Sequence, residues 1–214
     1  MDVFYAVKGG VGCSTIAAAF ALQSARAQPT VLVDCSGDLD VLLGLRHPTE
    51  DPGFGLSDWL AAAEPPPDAL SRLERPVSGH LTLIPFGLHA TLHPDEARLS
   101  LLAALLERDG RRCIVDLGLQ ADGAASLLVD AATTVLVTRA CYLGVCAARQ
   151  APTPDAVVVI REAGRALRVR DIEAALGAQT MIGTAWDPAV ARSIDSGMAI
   201  RRLPNLLTEL ERLL

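Results

Sequence analysis

The chain opens with a short apolar strand, residues 3–7, that runs directly into Lys8-Gly9-Gly10-Val11-Gly12-Cys13-Ser14-Thr15 and an alanine-rich helical stretch, 15–27. Glycines in a strand-to-helix turn let backbone N–H groups come close to an anion, and the helix N-terminus adds about half a unit of positive charge. This confines the N-terminal segment to a β–α unit with an anion site at the carboxyl end of its strand. The alternative is a turn that only joins strand to helix. Lys8 argues against that alternative, because the chain has 19 lysines and arginines together and Lys8 is the only lysine. A generic GxxxxGK[ST] loop needs glycine at Val7 and lysine at Cys13, and this chain has neither.

Further short apolar runs follow at 30–34, 80–85, 112–116, 133–138, 156–160 and 180–183. Between them lie stretches with helical periodicity at 56–63, 94–108, 121–131, 169–176 and 204–214. This alternation predicts the α/β class: one domain over 1–214, built on a mostly parallel twisted sheet of about seven strands with helices on both faces. Residues 46–55 and 65–67, broken by Pro, Gly and charge, read as surface loop around the short helix 56–63. Half of the residues are hydrophobic and the mean hydropathy is +0.32, which excludes wholesale disorder.

The formal charge of -6 and a pI near 5.2 argue against nucleic acid as the main partner. No apolar run reaches the ~18 residues of a membrane span, and Met1-Asp2-Val3 lacks the charged region of a signal peptide, so a cytoplasmic location is expected. Five cysteines (13, 35, 113, 141 and 146) form no CxxC pair and are expected to be buried free thiols. The histidines at 47, 80, 89 and 93 have no zinc-site spacing.

Lys8 ahead of two glycines, with Gly12 and Ser14-Thr15 in place, resembles the deviant Walker A motif KGGxGK[ST][ST] of the ParA/MinD superfamily. The resemblance implies a P-loop NTPase domain that binds ATP and Mg²⁺. Lys8 is then the signature lysine that reaches the nucleotide of a partner subunit. Gly9, Gly10, Val11 and Gly12 cradle the phosphates, Ser14 is a Mg²⁺ ligand and Thr15 lies near the α-phosphate. Cys13 stands where the family has its second lysine, and a neutral thiol supplies no charge to the β- and γ-phosphates.

Asp34 ends the second strand, where a carboxylate can orient Mg²⁺. In the family a DxDP segment follows, whose second Asp positions the attacking water. Ser36 holds that place here, and a hydroxyl is a poor general base. Hydrolysis is therefore expected to be weak or absent unless Asp38 or Asp40 reaches in, which makes Lys8, Asp34, Asp38 and Asp40 the candidate catalytic side chains. Residues 39–44 also resemble the LDxLLG stretch of the CpaE/TadZ proteins of Flp/Tad pilus loci and of related septum-site-determining proteins. Residues 112–118 resemble the family's Walker B and switch II segment, with Asp116 holding a water of the Mg²⁺ shell. The bland alternative is that Asp34 and Asp116 cap the turns that follow them.

At the adenine end the resemblance points to Arg161 as a contact to base or ribose, and to the loop 185–188, with Asp187, as a base-side wall. Trp186 is expected to be a packing residue. The arginines of 161–170 and Arg201-Arg202 read as a solvated surface in preference to a DNA face. The leucine stripe Leu203, Leu206, Leu207, Leu210, Leu213 and Leu214 is accompanied by Glu209 and Glu211, which favours packing over membrane insertion.

Together these features imply a nucleotide-dependent homodimeric switch that positions a protein partner of a pilus or division machine, at a pole or septum. The family's receiver-like N-terminal domain is not expected, since the phosphate loop lies at the N-terminus. Two other functions stay open: a pseudo-ATPase scaffold without nucleotide turnover, and a DNA-partition ATPase.

Overall fold

Alternation along the first strand decides how the molecule is layered, because successive side chains of a strand point to opposite faces. Val3 and Tyr5 enter one apolar core, and Phe4 and Ala6 the other. The computed structural model describes residues 1–47, 49–51, 53–66, 68–88, 96–119 and 133–213. Its strands are β1 (Asp2–Ala6), β2 (Thr30–Asp34), β3 (Arg75–Ser78), β4 (Leu81–Ile84), β5 (Arg112–Leu119), β6 (Thr133–Arg139), β7 (Ala156–Arg161) and β8 (Thr180–Ala185). They form one sheet in the order β3-β4-β2-β5-β1-β6-β7-β8. Neighbours are parallel except β3 and β4. The expected α/β class is present, with eight strands where about seven were expected.

The additional strand is β3, Arg75-Pro76-Val77-Ser78, on the outer edge. Proline donates no ladder hydrogen bond and is tolerated only at such an edge, so its sequence carries little strand signal. The run expected at 112–116 extends to Leu119.

The helices are α1 (Cys13–Ser24), α2 (Leu39–Leu42), α3 (Leu56–Ala61), α4 (Ala69–Arg72), α5 (Glu96–Arg108), α6 (Tyr142–Ala148), α7 (Val169–Leu176), α8 (Pro188–Asp195) and α9 (Ala199–Leu206), with a 3-10 turn at Thr208–Leu213. The helix expected over 121–131, the first residues of 94–108, and His89 and His93 lie outside the described residues. Helix α1 starts earlier than expected, at Cys13, and is buried almost all round. Its alanines permit close approach both to the sheet and to α9. Phe20 of α1 packs on Phe4 at 5.2 Å between ring centroids, and the Arg112 guanidinium lies 4.8 Å from the Phe20 centroid.

The C-terminal leucine stripe does not form one helix. It is split between α9 and the 3-10 turn, with Leu203, Leu207 and Leu210 buried in the core that contains α1. Buried Gln23 ties this end to α1, its Nε2 donating to the carbonyls of Pro204 at 3.0 Å and Leu207 at 2.9 Å. Gln23→Leu removes both donors from a dry site and is expected to cost about 1.5 kcal/mol, read by urea denaturation. Among the described residues no helix is long and apolar enough to cross a membrane. Cys13, Cys35 and Cys113 are buried and Cys141 and Cys146 half-buried, all as free thiols.

Candidate functional site

In an open parallel sheet, ligands bind beyond the carboxyl ends of the strands, where the direction of strand addition reverses. Here that place is β1, flanked by β5 on one side and β6 on the other. A cavity of about 810 Å³ opens there, walled by the 8–15 turn, the residues after β2, the end of β5, Arg139 at the end of β6 and residues 185–187 after β8.

The turn has the backbone that the glycine pattern requires. Gly10 and Gly12 have φ of 71° and 94°, the left-handed region that glycine enters without strain. Gly12 caps α1 without a side-chain hydrogen bond, its carbonyl accepting from Ile16 N. Among the described residues, no hydrogen bond from the backbone N–H groups of residues 9–15 is found. Lys8 is exposed, lines the cavity and makes no ion pair with a described residue. The turn therefore presents a set of unspent donors and a free cation to one space.

Lys8, Gly9, Gly10, Val11, Gly12, Cys13, Ser14, Thr15, Asp38 and Asp187 all line the cavity. Val11 and Cys13 are buried. Burial first, then the Asp116 charge, pushes the Cys13 thiol well up, so it stays neutral. Asp187 also caps α8, accepting from Ala189 N at 2.7 Å.

The acidic residues divide. Asp34 and Asp116 are fully buried register partners on β2 and β5. Asp34 uses both oxygens on the turn that follows it: Oδ1 accepts from the N–H of Ser36 (2.9 Å) and Gly37 (2.7 Å), and Oδ2 from that of Leu39 (3.0 Å). Asp116 accepts from Gly118 N at 3.2 Å. Ser36 Oγ sits between them, 3.0 Å from Asp34 Oδ1, 2.8 Å from Asp116 Oδ2 and 3.3 Å from Ser14 Oγ. One hydroxyl hydrogen cannot serve two carboxylates at once, so the second contact is a hydrogen bond only when one of the two carboxyls is protonated. Burial raises both carboxyls above the ordinary range, Asp34 to about 6.

The expectation that Asp40 reaches in is not met. It is held in a bidentate pair with Arg46, at 2.5 and 3.3 Å, and does not line the cavity. Asp34, Asp116 and Arg161 do not line it either, although Asp116 is one hydroxyl away through Ser36. Trp186 differs from its expected packing role, since it is 53% exposed and lines the cavity. Arg139 also lines it and was not singled out by the sequence, where it follows a run expected to end at 138.

The residues present fit a phosphate-bearing ligand with a divalent cation: amide donors and Lys8 for the anion, and the Ser14 hydroxyl backed by Asp116 for the metal's shell. No family model matches the chain, and no curated protein matches it. Solved structures do. A ParA family ATPase from Chlorobium tepidum TLS matches with a TM-score of 0.73 at 22% identity, over 99% of this chain and 95% of that one. MinD in the MinC:MinD cell division complex of Aquifex aeolicus matches with 0.77 at 18%, over 99% and 94%. The septum site-determining protein MinD of Pyrococcus horikoshii OT3, complexed with Mg-ADP, matches with 0.76 at 14%, over 98% and 93%. The chain thus has the α/β P-loop fold, and its structural neighbours are ParA/MinD family ATPases.

Proposed function

We infer that the chain binds Mg·ATP and acts as a nucleotide-dependent dimeric positioning switch with weak or no hydrolysis. The observation that carries this is the turn at 8–15, whose unspent N–H groups and free Lys8 face a cavity of nucleotide size. In this reading Lys8 crosses to the nucleotide of a second copy. Residues 9–12 cradle the phosphates, and Ser14 meets Mg²⁺ with Asp116 and Asp34 behind it. Asp187 serves the base side. Mg²⁺ supplies neutralisation of phosphate charge when bound.

Slow turnover follows from three features. Cys13 is neutral, Ser36 stands where the resemblance expects an Asp, and Asp40 is occupied by Arg46. Of the candidate catalytic acids Asp34, Asp38 and Asp40, Asp38 is the one that lines the cavity. The LDxLLG stretch supports a CpaE/TadZ-like or septum-site role, with a protein partner at a pole or septum. The acidic balance disfavours DNA as that partner.

The test is calorimetric titration of Mg·ATP into the wild type, Lys8→Ala and Cys13→Lys, with light scattering for mass. Expected are saturable binding, doubling of the mass with ATP, about tenfold weaker binding for Lys8→Ala and tighter binding for Cys13→Lys. Absence of binding at millimolar ATP that Cys13→Lys restores makes the chain a pseudo-ATPase scaffold instead.

A further inference from the structure

We propose that Arg139 is the in-subunit cation of the phosphate site, taking over the charge that position 13 lacks and holding the terminal phosphates of a nucleoside triphosphate. The inference rests on the nucleotide-binding reading above. Arg139 ends β6, the strand next to β1, and its side chain is 34% exposed. It and Lys8 are the two cations among the residues that line the cavity.

Its position is fixed from two sides. One guanidinium nitrogen donates to the Gly10 carbonyl at 2.6 Å, which sets the group against the phosphate turn itself. The other donates to Glu162 Oε1 at 2.7 Å. The Arg139 Nε is buried and has no hydrogen-bond partner. A buried donor left unpaired is costly, so the guanidinium is not fully satisfied where it stands. A planar guanidinium also matches phosphate oxygens in pairs, which an ammonium does not.

Glu162 is shared with Arg165, and its bonds to Arg165 first and Arg139 second lower its carboxyl from the ordinary value. It therefore stays ionised and offsets part of the Arg139 charge. Removing it leaves more of that charge for a ligand. Cys13, on the same cavity, has no cationic group to offer. A positive charge is thus missing from the helix side of the turn and present on the β6 side.

Titration of Mg·ATP into the full chain tests this, with thermal melts to verify that each variant folds. Arg139→Ala is expected to weaken binding at least about tenfold, and Glu162→Gln to tighten it about threefold. Arg139→Gln, which keeps a donor for the Gly10 carbonyl without the charge, is expected to weaken binding as much as Arg139→Ala. Adding Cys13→Lys to Arg139→Ala is expected to bring affinity back to within about threefold of wild type, as charge replacement demands and a purely structural tie does not. Retention of wild-type affinity by Arg139→Ala or Arg139→Gln overturns the proposal, as does failure of Cys13→Lys to rescue. If the wild type itself binds no Mg·ATP, nucleotide binding fails first, and the role of Arg139 with it.

Discussion

Acidification from about pH 7 to about pH 4.5 is expected to raise the unfolding free energy of the nucleotide-free protein by roughly 2 kcal/mol. Most proteins lose stability over that interval, because their carboxylates are stabilised in the ionised form. Asp34 behaves in the opposite way. Burial is the largest influence on it and the neighbouring Asp116 charge adds to it, and together they outweigh the N–H groups of Gly37, Leu39 and Ser36 and raise the carboxyl to about 6.

The unfolded chain releases that proton near pH 4, about two units earlier. Between about pH 4 and pH 6 the folded state binds more protons than the unfolded one, so stability falls as pH rises. The contribution is full below about pH 4 and gone above about pH 6. Asp116, raised by burial, adds with the same sign. Asp109, lowered by its bond to Arg111, and Glu162, lowered by Arg165 and Arg139, work the other way, their contributions being lost as pH falls through their folded-state values.

Urea denaturation at the two pH values measures the effect. Asp116→Asn removes one member of the carboxyl pair and is expected to make the dependence shallower. A wild type that loses stability steadily from about pH 7 to about pH 4.5 would falsify the protonated pair. The sign also bears on the proposed function, because a proton taken up by either buried carboxyl has to leave before that carboxyl can support a divalent cation.

The glycine-rich turn was legible because its signal is local. A strand, three glycines, a lysine and a helix are contiguous in sequence, and the backbone they require is the one found at Gly10 and Gly12. The buried strands were legible for the same reason, as parallel strands covered on both faces are apolar throughout. What escaped depends on partners distant along the chain. Asp40 looked free to enter the cavity, but the chain reverses after α2 and brings Arg46 back onto it. Arg139 looked like one more arginine in an arginine-rich chain. Only the parallel placement of β6 beside β1 sets it against Gly10.

Helix α8 was missed although Asp187-Pro188 is a start signal, with a cap residue followed by proline in the first turn. The leucine stripe at the C-terminus kept its helical spacing across a change from α9 to a 3-10 turn, so periodicity alone merged two elements.

Gly55→Ala is expected to cost at least about 3 kcal/mol of stability. Gly55 has an extended φ of -157°, so any residue could adopt its backbone. The obstacle is space. A Cβ there would lie 2.4 Å from both Gly87 N and Pro85 O, backbone atoms that no rotamer change can move aside. The approach is this close because the segment that opens α3 is tied to the residues after β4. Leu56 N donates to Pro85 O at 2.8 Å and Ser57 N to Phe86 O at 2.6 Å.

The consequence reaches the cavity through Phe86, whose ring lies against Gly37, in the turn that Asp34 holds and Ser36 belongs to. Pushing 85–87 outward withdraws the support of that turn. The variant is therefore expected to lose stability and also to bind Mg·ATP more weakly at a temperature where it is still folded. Gly79→Ala is the control: a Cβ there meets nothing within 4 Å, and its φ of 52° leaves only a strain of about 1 kcal/mol. Urea denaturation of the two variants side by side decides the matter. A Gly55→Ala loss no larger than that of Gly79→Ala means that the contact between the two loops gives way without cost, and that Phe86 does not hold the Ser36 turn in place.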